Sequence, residues 1–146
     1  MVSQLVTIIT DSLSNSITYQ RLSTRSFFKE QKTQSGTEGW FKWEAIHALH
    51  QAKYVVDLND VIKNDCDLIV NNIKIELKST RKNDVRRLIT AIREKHPGAD
   101  LYMMLCGDLN ATSDKLHKEL SNVEYSIQPF PIKDNGWGIV VVNRIY

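Results

Sequence analysis

The sequence predicts an α/β sandwich built on a mixed sheet, and three observations predict it. Between residues 37 and 106, helical patterns alternate with short β-branched runs in the order helix, strand, strand, strand, helix, strand. Two of those runs are separated only by Asn71-Asn72, a pair that tolerates positive φ and so suits a two-residue antiparallel hairpin. The last run, Leu101 to Cys106 (LYMMLC), is apolar throughout and is reached through a helix, as expected of a parallel strand buried on both faces.

The elements follow in chain order. Residues 1–36 read as an N-terminal helix and arm: Leu5, Ile8, Ile9 and Leu13 fit a short helix, and QRLSTRSFFKEQKTQSG after it is polar, basic and loop-like. Residues 37–106 form the core. Thr37 is the expected N-cap of a helix running to about Ala52, in which Phe41, Ala45, Ala48, Leu49 and Ala52 repeat at helical spacing. Glu44 lies on the edge of that stripe. Tyr54 to Asp57 (YVVD) reads as a strand, and Cys66 to Val70 and Ile73 to Ser79 form the hairpin. Asp84 is the expected cap of the next helix, with Val85, Leu88, Ile89 and Ile92 on one face and Pro97-Gly98 at its end. In residues 107–146, Ser113 or Asp114 should cap a helix through Leu120, and two strands are expected near Glu124 to Gln128 and Gly138 to Arg144. Trp137, between Gly136 and Gly138, is placed in an exposed turn.

At 146 residues the chain is the size of one domain. With 42% hydrophobic and 25% charged residues it reads as globular. No apolar run approaches the ~20 residues of a membrane helix, and MVSQLVTIITDSLSN lacks the basic flank and cleavage site of a secretory signal. A cytoplasmic location is therefore expected. Cys66 and Cys106 each fall in a buried strand, as reduced apolar residues. His47, His50, His96 and His117 offer no zinc-like cluster. The net charge is only +2, but residues 74–95 hold eight bases against three acids. Such a stretch is either a phosphate-binding patch or simply a solvated helix face.

The hairpin sets the candidate chemistry. A two-residue turn pairs Val70 with Ile73, Ile69 with Lys74, Leu68 with Ile75 and Asp67 with Glu76, so Asp67, Glu76 and Lys78 share one face. Opposed Cβ atoms lie roughly 5 Å apart, and two ionised carboxylates there repel unless a proton or a cation intervenes. A hard divalent cation such as Mg²⁺, with Mn²⁺ able to substitute, takes one or two carboxylates plus waters and a substrate phosphate. Lys78 would then orient a water or stabilise a developing anion. The competing reading is the solvent face of an antiparallel sheet, with Asp65 opposite Lys78 as an exposed ion pair. It accounts for Lys78 but not for Asp67 set against Glu76.

Asp67, eight intervening residues, then Glu76-Leu77-Lys78 resembles the signature of the PD-(D/E)xK nucleases, the restriction-endonuclease-like superfamily. The string IELKST is also similar to the motif of archaeal Holliday junction resolvases. The resemblance spans about 70 residues and implies an αβββαβ core, matching the order read from Thr37 to Cys106. It implies a Mg²⁺-dependent endonuclease acting on DNA, with Asp67, Glu76 and the Leu77 carbonyl as metal ligands and Lys78 as the catalytic ammonium. Many members add a glutamate from the first core helix. Glu44 takes that place, ahead of Glu38 in the first turn. The proline that often precedes the aspartate is Cys66 here, at a position where the family varies.

The expected nucleic-acid contacts are Lys74, Ser79, Thr80, Arg81, Lys82, Arg86 and Arg87, with Trp40, Phe41 and Trp43 as weaker candidates for stacking on bases. A homodimer is expected by family analogy only. The alternative from another class is a non-catalytic nucleic-acid-binding or assembly module on the same fold. Restriction enzyme, junction resolvase, repair nuclease and mobile-element or phage nuclease all remain open as substrate classes.

Overall fold

The computed structural model describes residues 2–19, 34–58, 66–132 and 136–145. Residues 20–33 of the polar arm and Asp65 lie outside them; the last three arm residues, 34–36, belong to the helix that follows, which therefore begins ahead of the expected cap at Thr37. Helices α1 (Val2–Tyr19) and α2 (Gln34–Gln51) are followed by β1 (Val56–Leu58), β2 (Leu68–Val70) and β3 (Ile73–Thr80). Helix α3 (Arg86–Thr90) runs into a π-helical turn, Ala91–Lys95, before β4 (Leu101–Cys106). Helix α4 (Leu109–Glu119) and strands β5 (Tyr125–Pro131) and β6 (Gly138–Arg144) complete the chain. From α2 to β4 the order is the expected helix, strand, strand, strand, helix, strand.

One six-stranded sheet runs β1-β2-β3-β4-β6-β5. Only β3 and β4 are parallel, joined directly by the crossover through α3 and the π turn; every other neighbouring pair is antiparallel. Asn71 (φ 50°) and Asn72 (φ 66°) both take positive φ, the requirement of a type I′ turn, and the pairs Val70↔Ile73, Ile69↔Lys74 and Leu68↔Ile75 are those the hairpin predicts. The edge strand β5 carries Pro129 and Pro131, which donate no ladder hydrogen bond and so discourage further strand pairing.

Period-two alternation sorts the sheet onto two cores. Leu68, Val70, Ile75, Leu77, Leu101, Met103, Leu105, Ile139 and Val141 meet Leu5, Val6, Ile9 and Leu13 of α1 and Phe41, Ala45, Ile46 and Leu49 of α2. On the other face Tyr102, Met104, Cys106, Val140 and Val142 meet Leu88 of α3, Ile92 of the π turn, and Leu109 and Leu116 of α4. All six residues of β4 are buried, as its apolar run requires. Both cysteines are buried, and neither forms a disulfide among the described residues. No helix among the described residues is long and apolar enough to cross a membrane.

Several boundaries differ from expectation, each for a local reason. Helix α1 is longer than the four apolar positions suggest. Helix α2 ends at Gln51, with Ala52 exposed, in a Schellman pattern: Tyr54 N–H donates to the Leu49 carbonyl and Lys53 N–H to His50. The left-handed residue of that motif is Lys53 (φ 70°) rather than a glycine. Strand β1 consequently starts at Val56. Helix α4 begins about a turn before Ser113, because Asp108 is the N-cap and its Oδ1 accepts from Ala111 N–H at 3.1 Å. Trp137 is buried at 1% exposure, not open in a turn. Its neighbour Gly138 explains how: a Cβ there would fall 2.6 Å from both the Leu109 side chain and the Phe130 carbonyl, so only glycine lets the strand in so close.

Candidate functional site: two clefts sharing Lys78

The site follows from a mismatch in strand length. Strand β2 pairs only with Ile73 to Ile75, while β3 continues to Thr80, so β3 overhangs its neighbour and offers backbone N–H groups with no ladder partner. Two carboxylates take them. Asp67 Oδ2 accepts from Leu77 N–H at 2.8 Å, and Glu38 Oε1 lies 3.4 Å from Ser79 N. Two residues along a strand span ~6.6 Å, so the overhang sets two acidic side chains side by side along one edge. In a strand the N–H and C=O of one residue project to the same edge; the Leu77 carbonyl therefore faces this cleft, of which Leu77 forms a wall.

Asp67 does not sit in a regular pair with Glu76. The ladder ends at Leu68↔Ile75, and Asp67 N–H donates to the Ile75 carbonyl at 2.9 Å instead of reaching Glu76. Cys66 packs with the core under α3 and Leu68 with the core under α2, although they are two residues apart. The alternation therefore slips by one residue at Asp67, which acts as a bulge and aims its carboxylate along the strand edge. The two carboxylates still meet.

Glu76 is 2% exposed. Burial, then the negative charge of Asp67, pushes its pKa from 4.5 up to about 8, against the pull of Lys78. Its Oε1 lies 3.3 Å from Lys78 Nζ and 3.6 Å from His96 Nε2, while Oε2 meets no donor among the described residues. At neutral pH, with nothing bound, the carboxyl is therefore protonated. His96 follows the π turn, whose wide winding lets its N–H donate to the Ala91 carbonyl. Its backbone carbonyl accepts from the Tyr102 hydroxyl, to which Arg144 also donates, at 3.1 Å.

Glu38, Gly39, Lys42, Asp67, Leu77 and Lys78 line the acidic cleft, a cavity of about 210 Å³. Lys42 Nζ is 3.7 Å from Asp67 Oδ1. Lys78, Arg86, Arg87, Thr90, Ala91 and Lys95 line a second, basic cleft of about 250 Å³. Lys78 belongs to both.

The structure thus brings together Asp67, Glu76, Leu77 and Lys78, but not Glu44. Glu44 does not line the cavity; Glu38, which the sequence reading placed second, does. Six helical residues rotate a side chain by ~600°, so the two glutamates lie ~120° apart around α2, whereas Lys42, four residues on, shares the Glu38 face. Of the phosphate-contact candidates, Arg86 and Arg87 line the basic cleft. Ser79 and Thr80 do not, being buried, and Thr80 Oγ1 accepts from Asp84 N–H. Lys74 lies at the hairpin end of β3, where its N–H donates to Asp100 Oδ2. Arg81 and Lys82 are exposed beyond the end of β3. Phe41 is core, Trp40 half-buried and Trp43 exposed. Lys42, Thr90, Lys95 and His96 carried no sequence signal beyond charge or spacing on a helix.

Among the described residues no group of three or more His, Cys, Asp and Glu side chains is arranged to hold a metal ion. Two carboxylates and a backbone carbonyl are nevertheless a sufficient protein share for Mg²⁺, which keeps several waters. The orphaned Glu76 oxygen beside a second carboxylate is the kind of acceptor pair that a cation satisfies. Comparison with family models, curated proteins and solved structures finds no match for this chain.

Proposed function

We propose that the protein is a divalent-metal-dependent nuclease that hydrolyses phosphodiester bonds in DNA, built on a restriction-endonuclease-like αβββαβ core. The observation that carries this reading is the buried carboxyl of Glu76, set against Asp67 and Lys78 with one oxygen unsatisfied. A buried acid whose pKa is raised this far, directly behind Asp67 and Lys78 of the cleft wall, is a functional-site signal.

Asp67, Glu76 and the Leu77 carbonyl would hold Mg²⁺ or Mn²⁺, which supplies Lewis acidity and a more acidic bound water. Binding requires Glu76 to give up its proton. Lys78 is mostly buried and tethered to Glu76 Oε1 at 3.3 Å, so its ammonium is held in one place, where it orients the attacking water or offsets negative charge as the phosphorus centre is attacked. The basic cleft on the other side of Lys78 would hold a substrate phosphate next to that ammonium.

The test is cleavage of duplex, single-stranded, flap and four-way-junction DNA with Mg²⁺ and with chelator. Glu76→Ala and Lys78→Ala should each lower the metal-dependent rate by on the order of 100- to 1,000-fold with the far-ultraviolet spectrum unchanged; cleavage that persists in both overturns the reading. A non-catalytic nucleic-acid-binding module is favoured by the lack of a ready three-ligand group among the described residues. Calorimetric titration with Mn²⁺ separates the two, since such a module binds DNA equally well in chelator and need not bind the ion.

A further inference from the structure

The two clefts are joined by one ion pair as well as by Lys78. Glu38 lines the acidic cleft and Arg87 the basic one. The Arg87 guanidinium grips the Glu38 carboxylate with both terminal nitrogens: one bonds Oε1, and the other lies 3.2 Å from Oε2. This places a carboxylate of the acidic site in the grasp of a cation from the phosphate side.

The basic cleft has the chemistry of a phosphate site. Four of its six lining residues are cationic, Thr90 adds a hydroxyl, and no carboxylate is among them. A guanidinium fork fits a phosphate as well as it fits a carboxylate. Arg87 therefore has two competing partners of the same geometry. Among the described residues Glu38 is otherwise held by the long Ser79 N–H contact at 3.4 Å, whereas a phosphate in the cleft would also meet Lys78, Lys95 and Thr90.

We propose that this cleft binds a phosphodiester phosphate of the substrate strand and that the Glu38–Arg87 pair is its latch: the phosphate takes Arg87, and the released Glu38 carboxylate joins Asp67 in the acidic cleft, in front of the buried Glu76. The proposal rests on the nuclease reading for the identity of the phosphate, but the latch itself is a competition between two anions for one guanidinium. Coupling of this kind is reciprocal, so a cation that draws Glu38 into the acidic cleft also frees Arg87 for phosphate. It makes the acidic site complete only when substrate is present, and it accounts for the missing third ligand in the unliganded protein.

The experiment is a double-mutant cycle read by fluorescence anisotropy of a short fluorescein-labelled DNA duplex, titrated in chelator so that neither metal nor cleavage enters. Glu38→Gln should bind the duplex about five-fold more tightly than the wild type, and Arg87→Gln about five-fold more weakly. The gain from Glu38→Gln should vanish when Arg87 is already Gln. Lys95→Gln, which touches only the basic cleft, should also weaken the duplex. A Glu38→Gln gain of equal size in both backgrounds would show plain removal of negative charge, and no gain at all would show no competition; either overturns the latch. Calorimetry with Mn²⁺ gives an independent arm. Where the wild type binds the ion, Arg87→Gln should bind it more tightly because Glu38 is set free, and an affinity equal to the wild type's then also overturns the latch. If the duplex cycle behaves as expected but the wild type neither binds Mn²⁺ nor cleaves, the nuclease reading fails while the latch stands.

Discussion

The core between the sheet and α1 and α2 is built of apolar side chains, whereas the face under α3 and α4 buries Glu76 beside Lys78 and His96. The first face gains stability from every residue it covers. The second gives some up, because a buried carboxyl with an unsatisfied oxygen costs about 1–3 kcal/mol. One sheet thus carries an apolar core on one face and a buried ionisable cluster on the other.

The largest expected effect lies on the first face. Phe41 is fully buried against the sheet, and Phe41→Ala should lower unfolding free energy by about 3–5 kcal/mol in urea titrations, equally at pH 5 and pH 8. A much smaller loss, or one that depends on pH, would mean that the two faces are not energetically separate.

The next effect belongs to Glu76 and has a definite sign. Its pKa is about 8 when folded and near 4.5 when the chain is open, so between those values the native state holds a proton that the unfolded state has released. Stability therefore falls as pH rises through that window, by at most ~1.4 kcal/mol per pH unit. Glu76→Gln keeps the shape and can donate to Asp67. It should leave stability unchanged at pH 4.5, where the carboxyl is protonated, and raise it by about 1–2 kcal/mol at pH 8. It should also remove Mn²⁺ binding. In the wild type, Mg²⁺ should raise the thermal midpoint more at pH 8 than at pH 5, because only the ionised carboxylate binds. A flat stability profile would remove the electrostatic contrast between the faces.

What could be read from the sequence was what short-range chemistry dictates. Asn71-Asn72 has few ways to turn a chain, and its positive φ angles fix the hairpin that brings Asp67 to Glu76. The apolar run of β4 and the helix before it dictate the parallel crossover. The rest was hidden where a rule has an exception. Lys53 ends α2 in a conformation normally given to glycine, so no stop signal marks it. Asn110, Thr112, Ser113 and Asp114 all resemble caps and mask Asp108, the one that caps α4. The slip at Asp67 is invisible to a register argument, which assumes an unbroken ladder; only the packing of Cys66 and Leu68 on opposite faces reveals it. The π turn that delivers His96 to Glu76 has no residue signature of its own.

The smallest expected effect tests helical phase alone. Glu44 was the natural choice for the helical carboxylate because it borders the apolar stripe, but bordering a stripe leaves two sides open. The side that matters is set by which flank of α2 overlies the overhanging edge of β3, and that edge takes Glu38 through Ser79 N–H. Glu44→Gln should therefore change Mn²⁺ affinity, duplex affinity and stability by less than ~0.5 kcal/mol each, as a substitution away from the site does. Glu38→Gln should weaken Mn²⁺ binding and tighten duplex binding in chelator. Loss of a negative charge weakens a cation and tightens an anion wherever it lies near both, so two further observations carry the assignment: near silence in Glu44→Gln excludes the general charge of the helix, and loss of the duplex gain in the Arg87→Gln background ties the effect to one carboxylate shared between two clefts.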